Sequence, residues 1–80
     1  MPTGAGLRLL VRDGCHLCEE FLLELSLDLA PGAAFATVDV DGDPGLAARY
    51  GLRVPVLEQG GEVVCEGRYD RARVRRALRL

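Results

Sequence analysis

The residues of this chain best suited to chemistry are the four of Cys15-His16-Leu17-Cys18. Two thiols three positions apart meet on one face of a helical turn, within reach of a disulfide. A thiol at a helix start also faces unpaired N–H groups and the positive end of the dipole, which stabilise a thiolate. Cysteines so placed have pKa values of roughly 3.5–7.5 instead of about 8.5. Cys15, at the exposed start, is the expected nucleophile, and Cys18, turned to the core, the resolving thiol. The chemistry this implies is thiol–disulfide exchange. His16, the sole histidine, is a candidate modulator that could stabilise the thiolate when protonated, relay a proton or ligate a metal; the plainer reading is a solvent-exposed residue at a helix start. Cys65 reads as a small buried hydrophobe in a strand.

Metal chemistry is the main rival. Asp39, Asp41 and Asp43 are spaced as in a calcium loop, but Pro44 stands where that loop needs glycine and Tyr50 where it needs glutamate. Tetrahedral zinc takes four ligands, and beside Cys15 and Cys18 only His16 and Cys65 remain. Cys65 is expected on the far side of the sheet, so no metal ligand is assigned within one chain. A metal or iron–sulfur module shared between two chains is the alternative reading, and a redox-silent interaction domain a third.

Composition sets the frame. Eighty residues suffice for a single small domain, residues 1–80, with residues 1–6 expected to be flexible. The chain is 49% hydrophobic with a net charge of -2, a globular composition. The N-terminus lacks the basic region and apolar stretch of a signal peptide, and no apolar run approaches the roughly 20 residues of a membrane span. The expectation is a cytoplasmic protein with no membrane partner, either a monomer or a weak dimer. In a reducing compartment a close cysteine pair is catalytic or metal-binding more often than structural. Lys, Asn and Ile are absent; their codons are A/T-rich, which points to a G+C-rich genome and not to phosphate recognition by arginine. Residues 1–66 hold eleven acids and four arginines, a net of -7, while residues 67–80 hold six arginines and Asp70, a net of +5. That basic end has no aromatic interleaving and reads as a solvated helix face, so nucleic acid is not an expected partner.

The elements that position the dithiol follow from the pattern. Leu7 to Val11 reads as a buried strand interrupted by Arg8, and Gly14 turns the chain into a helix from Cys15 to about Leu29, ended by Ala30-Pro31-Gly32. Cys18, Phe21, Leu22, Leu25 and Leu29 share its inner face. Leu23, Leu27 and Ala30 form a second stripe that the C-terminal helix or a partner chain would cover. Phe35 to Val40 is a second strand, parallel to the first through the helical crossover. Asp43 caps a short helix with Pro44 at its first position and Gly51 at its end. Val54 to Glu58 and Glu62 to Glu66 form a hairpin around Gln59-Gly60-Gly61. Asp70 caps a last helix with Val74, Ala77 and Leu78 inward. The order is β-α-β-α-β-β-α.

With the dithiol after the first strand, and with Val38-Asp39-Val40-Asp41, Asp43-Pro44-Gly45 and Tyr50-Gly51-Leu52-Arg53-Val54-Pro55-Val56-Leu57 in sequence, the chain resembles the thioredoxin superfamily, most closely its small glutaredoxin-like bacterial proteins. Gly60-Gly61 and Gly67 also fall where glutaredoxins carry glycines. The resemblance implies an α/β thioredoxin-like fold with a four-stranded mixed sheet flanked by helices. It further implies a cis Val54–Pro55 bond facing the dithiol, and a Val54 backbone that offers N–H and C=O to an extended substrate. Arg12 falls where many glutaredoxins have a lysine that pairs with a glutathione carboxylate. The implied activity is that of a thiol–disulfide oxidoreductase without a bound cofactor. It would act on a disulfide-containing protein or a low-molecular-weight thiol, with glutathione as a candidate co-substrate. Three features depart from the pattern. Neither His16 nor Leu17 is proline, no tryptophan flanks the dithiol, and Arg68-Tyr69-Asp70 replaces the Cys-Asp pair that holds the glutathione amino end, leaving only Asp70 to serve.

Overall fold

Leucine and valine make up all of Leu7–Val11 except Arg8, and the strand they form, β1, is buried on both faces. Leu7 and Leu9 enter one apolar cluster and Leu10 the other, as the period-two alternation of a strand requires. The computed structural model that shows this describes residues 6–80, so the expected flexibility of residues 1–6 falls, for residues 1–5, outside the described residues. After β1 come α1 (His16–Asp28), β2 (Ala36–Asp39), a single 3-10 turn (Val40–Gly42), α2 (Pro44–Tyr50), β3 (Val56–Gln59), β4 (Glu62–Glu66) and α3 (Arg71–Leu78). The strands form one sheet in the order β2-β1-β3-β4. β1 and β2 run parallel, while β1–β3 and β3–β4 are antiparallel. The helices cover both faces: α1 and α3 pack with Leu9, Leu57 and Cys65, and Tyr50 of α2 with Leu10, Val40 and Val56. This is the α/β glutaredoxin-like arrangement.

Several expectations need correction. β3 starts at Val56 and not at Val54, because Val54 gives its N–H to the Tyr50 carbonyl at 3.0 Å and Pro55 has none to give. Cys65 is not on the far side of the sheet from α1. A bulge between Leu57 and Glu58 pairs Leu57 with Cys65 but Glu58 with Val63, leaving Val64 as the extra residue. The bulge breaks the two-residue alternation, so Val63 is exposed while Cys65 lies in the cluster that includes Phe21, Leu25 and Val74. Ala77 is exposed, not inward. The C-terminal helix does not cover the second leucine stripe either: Leu23 and Leu27 remain 64% and 72% exposed.

Instead α3 is clamped to α1 by charge. Arg71 pairs with Glu24 and Asp28, Arg75 with Asp28, and the Tyr69 hydroxyl donates to Asp28 at 2.5 Å. Tyr69 also meets Phe21 edge to face, with ring centroids 5.0 Å apart. The Tyr69 hydroxyl, aided by Arg71, holds the Asp28 carboxyl below the usual carboxylate range. A carboxyl depressed by folding adds stability above its unfolded pKa of about 3.9, and that contribution is lost as the pH falls through its lower folded value. Asp28→Asn is therefore expected to melt below the wild type near pH 7, with the gap narrowing as the pH approaches about 3. Thermal melts across that range check it.

On the opposite face Arg8 and buried Glu58 form an ion pair, and the Tyr50 hydroxyl donates to the second Glu58 oxygen at 2.8 Å. Burial alone would raise the Glu58 pKa. The hydrogen bonds from Arg8 and Tyr50 outweigh it and leave the carboxyl below its ordinary range. Arg8 thus interrupts an apolar strand because it neutralises a carboxylate that would otherwise be buried alone.

Candidate active site

Cys15 follows directly from a turn that only glycine takes easily, since Gly14 has φ of +73°. The Cys15 N–H donates to the Arg12 carbonyl at 3.3 Å, closing that turn. Cys15 is the N-cap of α1, with extended backbone, and its sulfur accepts the Cys18 N–H at 3.1 Å. Cysteine here does the work usually given to serine or aspartate at an N-cap. One turn on, Cys18 shares the inner face with Phe21 and Leu25, whose burial fixes the helix against the sheet. The Cα atoms of Cys15 and Cys18 are 5.2 Å apart and the two sulfurs form a disulfide. Cys15 is half-buried and Cys18 only 4% exposed. An accessible sulfur therefore stands in front of a sheltered one.

The disulfide lies in the wall of a cleft of about 250 Å³. Arg12 is in the same wall, with Val11 and Leu22 as apolar lining. Its guanidinium is already occupied. It makes two parallel bonds to Asp41, at 3.0 and 2.9 Å, and a third to the Gly51 carbonyl at 2.9 Å. The Asp41 hydrogen bond, reinforced by its charge, raises the Arg12 pKa. Arg12 thus ties the loop before the dithiol to the 3-10 turn and to the end of α2. Gly51 serves this tie by having no side chain: an added Cβ would lie 2.5 Å from the Ala47 carbonyl and 2.8 Å from Arg12 Nη2. Its φ of -55° is one any residue adopts, so space and not handedness calls for glycine. Gly51→Ala is expected to cost about 1–3 kcal/mol, measured by denaturant unfolding.

The loop leading to β3 is pinned at Tyr50, whose carbonyl accepts the N–H groups of both Arg53 and Val54, at 2.8 and 3.0 Å. The Val54–Pro55 bond is cis, and the Pro55 carbonyl accepts the Gly67 N–H at 2.8 Å. The Val54 N–H is thus occupied, while among the described residues its carbonyl accepts no backbone hydrogen bond. Leu52 in the same loop is fully exposed. Cys15, Cys18 and Arg12 line the cleft together, and Val54 and Pro55 are not among its lining residues. The His16 side chain is 88% exposed, its nearest charged neighbour Glu19 at 3.7 Å. Asp70 accepts the Arg73 N–H as the cap of α3.

Cys65 takes part in the core and in a turn. Its thiol donates to the Arg68 carbonyl at 3.1 Å and its sulfur accepts the Asp70 N–H at 3.4 Å. Burial pushes this thiol up, away from the thiolate. Among the described residues no group of three or more His, Cys, Asp or Glu side chains is arranged to hold a metal ion.

Sequence reasoning missed Asp41 as the partner of Arg12, and missed the carboxylates Asp13, Glu19 and Asp39 that also line the cleft. It missed the Glu58 network too. The one available signal was a pair of opposite charges, Arg8 and Glu58, each interrupting an apolar strand.

A β-α-β-α-β-β-α sheet-and-helix domain with a Cys-x-x-Cys pair at the start of its first helix defines a thioredoxin-like dithiol domain. The family comparison is more particular: a glutaredoxin-like domain (DUF836) matches residues 6–79, and the chain belongs to that family. Uncharacterized proteins of Mycobacterium bovis and Mycobacterium tuberculosis are 40% identical over 75 residues, covering 84% of this chain and 75% of each relative. A solved structure of a structural-genomics target protein from X. campestris is similar with a TM-score of 0.75 and 39% identity, covering 91% of this chain and 95% of that one.

Proposed function

We propose that the chain is a thiol–disulfide oxidoreductase working through Cys15 and Cys18. The observation that carries this reading is the pairing of a half-exposed cap sulfur with a buried one in the wall of a cleft. In the reduced protein the Cys15 thiolate attacks one sulfur of a substrate disulfide, and the displaced thiolate takes up a proton. Cys18 then gives up its proton and attacks the Cys15 sulfur of the mixed disulfide. The second half of the substrate leaves as a thiol and the Cys15–Cys18 disulfide remains. The order follows from access, because Cys18 is too sheltered to meet a substrate first.

The substrate is a disulfide-containing protein or a small disulfide, and a low-molecular-weight thiol returns the enzyme to its dithiol form. Glutathione is the co-substrate the resemblance suggests. The loop of Val54 and Pro55 would steady the substrate chain, with the Val54 carbonyl as acceptor. Arg12 supports the site by holding that loop's base through Gly51. His16, with its side chain 88% exposed, would act on Cys15 as a modulator from the solvent side. A reducing cytoplasm suits a dithiol of this kind, and no helix among the described residues is long and apolar enough to cross a membrane.

The test is equilibration of metal-free protein in dithiothreitol redox buffers, followed by alkylation and peptide mass mapping. The expected result is a two-electron transition confined to Cys15 and Cys18, with Cys65 unchanged, at roughly -270 to -200 mV. A pair that never forms a disulfide would sink the reading.

A further inference from the structure

The cleft beside the disulfide is lined by three carboxylates, from Asp13, Glu19 and Asp39, and by a single cation, Arg12. Their partners are unequal. Arg12 spends its guanidinium on Asp41 and the Gly51 carbonyl. Among the described residues neither Asp13 nor Asp39 forms a salt bridge, and Glu19 faces only His16. Asp39 keeps one oxygen on the Asp41 N–H, and its other oxygen has no hydrogen-bond partner among the described residues. The arginines without a carboxylate partner near the C-terminus, including Arg73 and Arg76, belong to α3 and not to this cleft. The apolar Val11 and Leu22 lining, with Cys15 and Cys18 beside it, completes a space for a short aliphatic arm that ends in a positive charge.

We propose that this cleft selects disulfides carrying an ammonium or guanidinium group close to the sulfur, over anionic disulfides. The inference rests on the oxidoreductase reading and adds the substrate class to it. The reaction is unchanged and balanced: the substrate disulfide is reduced to two thiols as the Cys15–Cys18 dithiol is oxidised, with the two protein protons passing to the departing sulfurs. What the carboxylates add is attraction for the arm while Cys15 attacks. These groups are solvent-exposed, so their attraction is screened by salt. Even so, three like charges around one small cleft raise the local concentration of a cation and lower that of an anion.

The experiment is a single-turnover reaction of the pre-reduced full chain with cystamine, 2-hydroxyethyl disulfide and 3,3′-dithiodipropionate, which are dicationic, neutral and dianionic. Dividing each rate by that of dithiothreitol on the same disulfide removes differences in intrinsic reactivity. The expected cation-to-anion ratio is on the order of tenfold at low salt, falling towards one at about 0.5 M salt. Asp13→Asn with Asp39→Asn should lower the ratio at least about threefold. A low-salt ratio of one or less both here and with the peptide disulfides below overturns the proposal, as does a ratio above one that salt or the double variant leaves unchanged. Peptide disulfides flanked by lysine or by glutamate tell whether the cation arrives on a chain or on a small molecule. A preference in either series supports the inference, and a preference in neither overturns it. If all the disulfides fail, including the neutral one, the oxidoreductase reading itself has failed and this inference falls with it.

Discussion

Replacing Cys15 with serine is expected to bring disulfide reduction down to the uncatalysed rate, a loss of about 10³-fold or more. A hydroxyl is a far weaker nucleophile than a thiolate near neutral pH, and no other sulfur can take over. Cys18 is sheltered behind Cys15, and Cys65 is buried in the core with its thiol given to the Arg68 carbonyl. Cys18→Ser should behave differently, allowing the first attack and then stalling, so that a mixed disulfide on Cys15 accumulates. Turnover of 2-hydroxyethyl disulfide and intact mass after exposure to a small disulfide measure both outcomes. Equal loss of activity in the two variants without the trapped adduct would contradict the assigned order of attack.

The largest expected loss of stability follows from Phe21→Ala. Phe21 is 1% exposed, lies one turn after Cys18, and packs edge to face on Tyr69. Truncating a buried phenylalanine costs about 3–5 kcal/mol, a large part of the roughly 5–15 kcal/mol that holds a domain together. Each kcal/mol shifts Tm by about 4–8 °C in a domain of this size. The variant should melt well below the wild type, if it folds at all. Phe21→Leu keeps much of the volume and should cost only about 1–2 kcal/mol. Calorimetry on both variants separates loss of packing from loss of the fold.

What the sequence made legible was mostly local. Cys15 to Cys18, the Asp43-Pro44 start of α2 and the glycines of the hairpin each act through neighbours within a few positions, so their effects can be read in a short window. The resemblance to glutaredoxins, carried by Cys15, Cys18 and the stretch around Pro55, implied a four-stranded mixed sheet, but the order β2-β1-β3-β4, with β3 beside β1, came only from the structure. Distant pairings stayed hidden. Arg8 meets Glu58 across 50 positions and Arg12 meets Asp41 across 29, and neither partner is fixed by periodicity. The cap of α1 was readable, whereas the capture of the Val54 N–H by Tyr50 depends on how the chain bends before β3. The bulge at Val64 was the costliest omission. Strict alternation along β4 would keep Val63 and Cys65 on one face, and a single extra residue separates them.

That same extra residue bears on how the protein behaves when crowded. β4 closes one side of the sheet and presents its outer backbone to the surroundings, the position from which a foreign strand could add on. A continuous, flat row of amides would be a template for fibril growth. Here the row falls out of step where Val64 is inserted, and the strand twists away from the spacing an incoming chain needs. The sheet's other border, β2, offers only four residues before the 3-10 turn ends it. Both borders thus carry features that disfavour the addition of a further strand, although Val63 remains on the surface of one of them.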